Sequence, residues 1–431
     1  MNRFWLLIAL VSIPALFCVV ANADTVKPAE YSVRASAVLD EVWNNIKKGN
    51  FSKDFDREFK AEVYDRFRPE ILKCQDDQEL ATTLNRMIKK LNQSHIFVLP
   101  PVNSTVKEAL TIADNNAAPV NAGAVKSAVP ADPGISLAVA ENKLCVLRVK
   151  PGFPAAQAGI KPGDEILSID GVKINPANKT YVGWALIASS MLAGQPDTAV
   201  KIELKQNEEI RTVNLTRQAN GEKWFKLGVM PPTFGSYQSE MLPGNIGCLR
   251  FSAFFPEMIV SCRQDVTGKL KNADGIIIDL RGNVGGIILL GEWLAGWLSS
   301  QPVKLGTMII KGTELKPKSY PQPGCFRKPL AILIDNDSYS TAEIFAAAMR
   351  DAKVAVLFGQ TTPGKCLPSQ FLILPSGFRL QTVFGDFVRV DGKRIEHIGV
   401  KPDFPVELKL EDLRKGIDTV QEATRKYLAK K

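Results

Sequence analysis

The amino-acid sequence predicts a multidomain α/β protein. At 431 residues, the chain is longer than one domain usually is. Apolar residues recur at helical spacing in its first hundred residues, which predicts a helical domain. Between residues 223 and 410, buried strand-like segments alternate with helical segments, and this alternation is typical of an α/β core.

The first residues have the features of a secretory signal peptide. Residues 1–23 carry one positive charge at Arg3, then an apolar run, then the small-x-small ending Ala21-Asn22-Ala23. We therefore expect cleavage before Asp24, no stable membrane span afterwards, and an exported protein that is periplasmic or secreted. A retained anchor is the alternative, but the run contains Pro14 and is short for a bilayer-spanning helix.

Composition narrows the function classes. The formal net charge is +9, but the basic residues are dispersed and show no focused patch, so we expect no nucleic-acid partner. Two histidines and seven cysteines show no metal-ligand spacing, so we predict no metal and no cofactor. Export would permit disulfides, but the spacing does not determine a pairing.

The helical domain is predicted over residues 31–101. One apolar helical face is formed by Val38, Leu39, Val42, Trp43 and Ile46, and a second helix follows the cap-like Asp76-Asp77. Residues 102–133 are rich in Ala, Asn, Pro and Val, and we interpret them as a linker.

A peptide-binding domain is predicted over residues 134–218. Ala158-Gly-Ile-Lys-Pro-Gly-Asp-Glu-Ile166 fits the pattern Ala-Gly-x-x-x-Gly-Asp-x-Ile and resembles a PDZ domain of the bacterial type. Such domains bind a peptide as an added strand and hold its terminal carboxylate with backbone amides. The resemblance implies that Gly134, Ile135, Ser136 and Leu137 bind the peptide, although the glycines alone could simply form turns.

The predicted catalytic domain, residues 223–410, centres on a strand-to-helix corner. The apolar strand Leu330 to Ile334 precedes Ser340-Thr-Ala-Glu343, a capping-box pattern, and a helix. A serine there lies beside free helix amides, which suits a nucleophile, but Ser-x-x-Glu also serves as an ordinary helix cap. Lys365 follows 25 residues later, and a lysine can accept the serine proton only if burial lowers its pKa.

These motifs resemble those of the C-terminal processing peptidases, also called tail-specific proteases. The likeness rests on Asp337-Ser-Tyr-Ser-Thr-Ala-Glu343, the step to Gly364-Lys365, and the upstream Asp279-Leu-Arg-Gly-Asn-Val-Gly-Gly286. It implies a core of the Clp-protease and crotonase type and a serine endopeptidase that acts on polypeptides with unstructured apolar C-termini. Residues 411–431 are predicted to form a C-terminal helix or tail, and the oligomeric state stays open.

The resemblance also implies roles for individual residues. Ser340 would be the nucleophile and Lys365 the general base, while Thr341 and Gly286, or Gly285 in its place, would supply the oxyanion-hole amides. The family carries an orienting glutamine four residues after the lysine, whereas Gln370 lies five residues after Lys365.

A sister branch similar to the tricorn core protease suggests a second mechanism. There a Ser-His pair and a late glutamate activate the serine, which would correspond to Ser94, His95 and Glu396 in this sequence. The Gly-Lys pair and its spacing lead us to favour Lys365. A catalytically silent PDZ peptide-binding protein and a crotonase-like acyl transferase also fit the sequence, because fold alone does not fix the chemistry.

Overall fold

A computed structural model describes residues 28–50, 54–101, 131–176, 183–220, 223–225 and 233–431. The predicted signal peptide and nearly all of the predicted linker lie outside these residues. Within them, no helix combines the length and the apolar character that crossing a bilayer requires.

The amino-terminal part is helical, as predicted. Its elements are α1 (Pro28–Gly49), α2 (Phe55–Phe59), a π-helical turn (Lys60–Asp65), α3 (Arg66–Ile71), α4 (Asp77–Ile88), a 3₁₀ turn (Lys89–Leu91) and the short strand β1 (Phe97–Leu99). Helix α4 begins where the sequence predicted, because the Asp76 side chain accepts hydrogen bonds from the Gln78 and Glu79 amides.

The next part is a small sheet domain. It comprises β2 (Ala131–Asp132), β3 (Ile135–Ala140), β4 (Lys143–Val149), α5 (Pro154–Gln157), β5 (Glu165–Ile169), β6 (Val172–Lys173), α6 (Trp184–Leu192), β7 (Ala199–Gln206), β8 (Glu209–Thr216) and β9 (Gln218–Ala219). The sheet order is β3-β4-β5-β7-β8, which leaves β3 at one edge with α6 packed beside it.

The third part is the predicted α/β core with several short hairpins. Its strands are β10 (Lys223–Phe225), β11 (Thr233–Gly235), β12 (Tyr237–Leu242), β13 (Ile246–Phe251), β14 (Gly275–Asp279), β15 (Val303–Lys304), β16 (Thr307–Ile310), β17 (Thr313–Leu315), β18 (Lys318–Ser319), β19 (Leu330–Ile334), β20 (Ala355–Gly359), β21 (Ser369–Ile373), β22 (Arg379–Val383), β23 (Asp386–Val388) and β24 (Phe404–Pro405). Its helices are α7 (Pro256–Thr267), α8 (Ile288–Leu298), α9 (Thr341–Asp351), α10 (Leu410–Arg414) and α11 (Thr419–Leu428).

The core sheet runs in the order β12-β13-β14-β19-β20-β24. All its neighbours are parallel except the β12–β13 pair, so the carboxyl ends of β13, β14, β19 and β20 meet at one edge. The strand predicted at Leu330 to Ile334 matches β19. Helix α7 begins at Pro256, because proline is favoured in the first turn of a helix.

A three-stranded sheet joins the first and last parts of the chain. Strand β1 pairs with β22, which pairs with β21, and apolar residues of the helical part pack on this sheet. His95 lies two residues before β1, and Lys365 lies four residues before β21. This sheet therefore brings two of the predicted site segments together.

The small sheet domain docks on the core sheet through an apolar cluster that includes Ala140, Leu147, Ile277 and Leu408. Helix α11 packs against the same side, with Val420 and Leu428 buried. The predicted fold class, a helical region followed by a PDZ-like domain and an α/β core, is confirmed.

Candidate active site

Ser340 lies at the corner between β19 and α9, as the sequence predicted. Its backbone has φ +55° and ψ −118°, a strained conformation for a residue other than glycine. Such a strained turn projects a serine hydroxyl outward from the edge of an α/β sheet. The Ser340 amide donates to the Lys365 carbonyl oxygen at 3.0 Å, which fixes the corner to the Gly364-Lys365 segment.

The turn from Asn283 to Gly286 packs directly against Ser340. Gly285 has φ +84°, and a Cβ added there would lie 2.6 Å from the Ser340 Cβ and 2.9 Å from the Thr341 nitrogen. The Gly285 amide donates to Asn283 Oδ1 at 2.9 Å, whereas the Gly286 amide has no acceptor within the described ranges. Of the two candidate glycine amides, only that of Gly286 is therefore available to a bound ligand.

Thr341 holds this turn in place. Its hydroxyl donates to the Gly286 carbonyl oxygen at 2.7 Å, and the residue is buried at the start of α9. An amide in the first turn of a helix has no acceptor within that helix. The Thr341 and Gly286 amides therefore flank Ser340 as two candidate donors to a developing oxyanion.

Ser338, the other serine of this loop, has its hydroxyl fully engaged. It is completely buried, and its Oγ donates to the Leu280 carbonyl oxygen at 2.8 Å and contacts the Asp335 carboxylate at 3.0 Å. These bonds tie the loop to the end of β14, a structural function.

Lys365 lies half-buried beside this corner, with its Nζ 5.6 Å from the centre of the Tyr339 ring. Burial lowers its pKa, although the carboxylates of Glu396, Glu343 and Asp337 act in the opposite direction. No described residue accepts a hydrogen bond from Lys365 Nζ. The amino group is therefore not held by an acceptor in the described part of the chain.

Sequence reasoning treated Glu343 only as a helix-capping partner, and the structure gives it a larger role. Its buried carboxylate accepts hydrogen bonds from the Ser340, Gly364 and Lys365 amides and from the Thr362 hydroxyl, at 3.1, 2.7, 2.9 and 2.6 Å. Burial raises its pKa. The capping-box pattern found the first of these bonds, but the others join segments that are distant in sequence.

A second hydrogen-bond chain lies nearby, formed by Ser94, His95 and Glu396. The Ser94 Oγ is 2.8 Å from His95 Nδ1 and 3.0 Å from Glu396 Oε2, and the Ser94 amide donates to Glu396 Oε1 at 3.0 Å. Desolvation, assisted by the positive charge of Lys365, lowers the pKa of His95 to about 4. The structure thus assembles the three residues of the alternative mechanism, with a neutral imidazole.

Gln370 is not brought to Lys365. It pairs with Thr382 within the β21–β22 hairpin, and its side chain is exposed. The predicted orienting contact is absent from the described part of the chain, because Pro368 and the start of β21 separate the two residues.

The predicted peptide-binding residues surround the start of β3. Gly134 has φ +83° and packs against Phe153, so a side chain there would clash. Ile135, Ser136 and Leu137 begin β3, which bulges between Ser136 and Leu137. Helix α6, which accompanies β3, spans Trp184–Leu192.

Sequence reasoning did not predict a contact between the start of α6 and the serine loop. The Ala185 amide donates to the Asp337 carboxylate, and a Cβ added at Gly183 would lie 3.1 Å from the Tyr339 hydroxyl. Burial and the neighbouring Asp335 raise the pKa of Asp337 to about 7. We call the space between β3 and α6 the β3–α6 groove. The start of α6 therefore brings one end of this groove to Asp337, which precedes Ser340 by three residues.

The described cysteines are free, buried thiols, and burial raises the pKa of Cys366, the one next to Lys365, well above its usual range. No group of metal-binding side chains occurs among the described residues.

A serine held at a strained strand-to-helix corner, with two amides and candidate bases around it, is the arrangement of the serine peptidases. Comparisons with known proteins agree with this class. Residues 245–406 match the family model for peptidase family S41, and residues 131–216 match the PDZ domain. Residues 245–406 therefore form a peptidase family S41 domain, as the sequence motifs predicted.

Its relatives include carboxyl-terminal processing proteases. The chain is 28% identical over 279 residues to the carboxy-terminal processing protease CtpA of Bacillus subtilis, which covers 64% of this chain and 56% of that protein. The chain thus spans little more than half the length of this curated relative.

Solved structures share the fold. The photosystem II D1 C-terminal processing protease superposes with a TM-score of 0.54 at 20% identity, covering 91% of this chain and 99% of that one. The tricorn protease superposes with a TM-score of 0.51 at 16% identity, covering 93% of this chain and 37% of that one.

Proposed function

We propose that this protein is a serine endopeptidase that captures unstructured, apolar C-terminal tails on its PDZ domain and cleaves the same polypeptide at Ser340. The observation that carries the proposal is the strained Ser340 corner between the Gly286 and Thr341 amides. The predicted signal peptide supports an exported enzyme.

In this mechanism Ser340 Oγ attacks the peptide carbonyl carbon while Lys365 Nζ takes the hydroxyl proton. The negative charge that develops on the carbonyl oxygen is stabilised by the Gly286 and Thr341 amides, each worth roughly 3 kcal/mol in related sites. The leaving amine receives the proton, and water then hydrolyses the acyl-enzyme by the same steps. The partial burial of Lys365 supports its role as base, because desolvation favours the neutral amine.

His95 is the second candidate base. Its orientation by Ser94, which Glu396 holds in turn, resembles the way a third group orients a catalytic imidazole. Its neutral state at physiological pH permits proton acceptance, but a pKa of about 4 makes it a weak base at that pH. The weak basicity of His95 is our reason for preferring Lys365 as the general base.

The route from the groove to the serine supports a polypeptide substrate. A peptide added to β3 would lie between β3 and α6, and the start of α6 contacts Asp337 and Tyr339 next to Ser340. A bound tail would therefore leave the groove close to the nucleophile. An acyl transferase that acts on a small thioester would not need a path from a peptide groove to the serine.

The test is cleavage of an unfolded protein with an apolar C-terminus, together with labelling by a fluorophosphonate probe. We expect both for the wild type and for the control Ser261→Ala on α7, and neither for Ser340→Ala. Retained turnover in a folded Ser340→Ala variant would disprove the nucleophile. A wild type that binds the tail but shows neither labelling nor cleavage would instead be a silent peptide-binding protein.

A further inference from the structure

A cavity lies where the PDZ domain meets the carboxyl edge of the core sheet. Its PDZ wall is formed by the middle of β3, by Leu147 of β4 and by Ala185 of α6. The opposite wall contains four apolar side chains of the core and four polar ones, and the polar ones are Arg250, Arg281, Asp335 and Gln360. The cavity thus joins the predicted peptide groove to charged residues of another domain.

The edge of β3 can accept another strand. Strand β3 pairs with β4 alone among the described strands, so its outer edge presents unused backbone groups. Leu137 packs into the PDZ core, whereas Ala138 and Ala140 face the apolar cluster shared with the core sheet. The small side chains at these two positions permit close approach of the two domains.

A buried ionic network lies behind this edge. Arg281 forms a two-bond pair with Asp279, at 2.9 and 2.7 Å, and a second such pair with Asp418, at 2.9 and 2.6 Å. Both carboxylates are thereby engaged by one guanidinium. Arg148 also approaches Asp418, at 3.8 Å, so each acid is shared between two arginines.

Arg250 is the cation that this network leaves without a close partner. Its side chain is only 17% exposed, and the one ion pair that it forms with a described residue is a 3.5 Å contact with Asp279, which Arg281 already engages. Burial lowers the pKa of Arg250, and the positive charges of Arg281 and Arg148 act in the same direction, while Asp279 and Asp418 oppose the shift. A buried charge of this kind is stabilised by an anion that brings its own hydrogen-bond acceptors.

Asp335 lines the same cavity but does not supply that anion. Its Oδ1 accepts from the Gly282 amide, the Asp337 amide and the Ser338 hydroxyl, each at 3.0 Å, and it forms no ion pair with Arg250. Burial raises the pKa of Asp335.

We propose that Arg250 binds a carboxylate of the peptide that lies along β3, and so makes the core domain part of substrate recognition. This inference rests on the proposed function and adds to it a charged contact outside the PDZ domain. The carboxylate is either the C-terminus of the peptide or an acidic side chain near it. Both sources offer the same planar pair of oxygens that a guanidinium binds through two hydrogen bonds.

The experiment uses the full chain carrying Ser340→Ala, so that bound peptides stay intact. Fluorescence anisotropy would measure the Kd of labelled ten-residue peptides with apolar C-termini in two matched pairs. One pair compares a free C-terminal carboxylate with a C-terminal amide, and the other compares Glu with Gln at the third residue from the end. We expect the carboxylate member of one pair to bind roughly tenfold more tightly or better.

Arg250→Met should remove that preference by weakening the carboxylate peptide to the level of its neutral counterpart. Arg389→Met is the matched control, because it removes an equal charge at a site paired with Asp351 and should retain the preference. Loss of preference in the terminal pair identifies the C-terminal carboxylate, and loss in the Glu/Gln pair identifies a side chain.

Two results would overturn the inference. One is an unchanged preference for the carboxylate peptide in a folded Arg250→Met variant. The other is equal binding of the two peptides within both pairs in the chain that carries Ser340→Ala alone. Neither result depends on catalysis. Failure of the proposed function would instead appear as absent cleavage and labelling in the wild type, while the anisotropy result could still support Arg250 as a carboxylate site.

Discussion

The two candidate bases predict different pH profiles for kcat/KM, because a general base must be unprotonated to act. Activity is therefore lost as pH falls through the pKa of the base. Desolvation and Lys365 lower the pKa of His95 to about 4. With this base, the active fraction would be about 0.9 at pH 5 and about 1 at pH 8, an almost flat profile.

Lys365 predicts a steep profile instead. Burial lowers its pKa from the ordinary 10.5, while the carboxylates of Glu396, Glu343 and Asp337 oppose the shift. Below that pKa, kcat/KM should rise about tenfold with each pH unit. We expect this steep limb, a loss of about 10² to 10⁴-fold in Lys365→Ala, and a much smaller loss in His95→Ala.

The assay is a pH series of initial cleavage rates on one unfolded substrate, with each variant checked for folding by circular dichroism. Lys89→Ala provides an internal test, since the positive charge of Lys89 lowers the pKa of Lys365. Removing it should move the steep limb to higher pH. A flat profile down to pH 5, with activity retained in Lys365→Ala and lost in His95→Ala, would refute the lysine mechanism.

Three further predictions concern the framework around the site. Ser338→Ala should keep fluorophosphonate labelling but lower the free energy of unfolding in urea by about 1–3 kcal/mol, because it leaves the Asp335 amide without the hydroxyl acceptor that it has in the wild type; lost labelling in a folded variant would contradict this. Gly285→Ala should abolish cleavage, since its Cβ would clash with Ser340, whereas Gly282→Ala, with open space around it, should remain active; equal activities would contradict the packing argument. Asp279→Asn should cost about 3–5 kcal/mol at neutral pH by breaking a buried pair. The arginines hold the pKa of Asp279 below its ordinary 3.8, so its contribution is present above that pH and is lost on acidification, and the variant should show less acid sensitivity in the same urea titrations.

The order of domains and the main strands could be predicted from sequence because their signals are local. Strand β19, the cap of α4 and the Ser340 corner each follow from a few adjacent residues, and the structure has them where they were expected. The PDZ domain and the peptidase family were recognised from short motifs. These signals also placed Ser340 and Lys365 near each other.

What could not be predicted depends on contacts between distant segments. The bonds from Glu343 to Gly364 and Lys365 and the contact of Ala185 with Asp337 leave no periodic or local pattern. The weak pairing of Arg250 appears only when Asp279 is seen to be engaged by Arg281. The sequence left the role of Gln370 open for the same reason, since its position on β21 depends on the hairpin pairing.

The bonds between Ser94 and Glu396 span 302 residues of chain. During synthesis, which proceeds from the amino terminus, the helical part and the PDZ domain emerge long before Glu396, β24 and α11. The core sheet lacks its edge strand, and the pocket around Lys365 lacks Glu396, until almost the whole described chain is available. A nascent chain would therefore contain Ser340 before the pocket around Lys365 is complete. We expect activity to appear only when the last segments of the chain have folded.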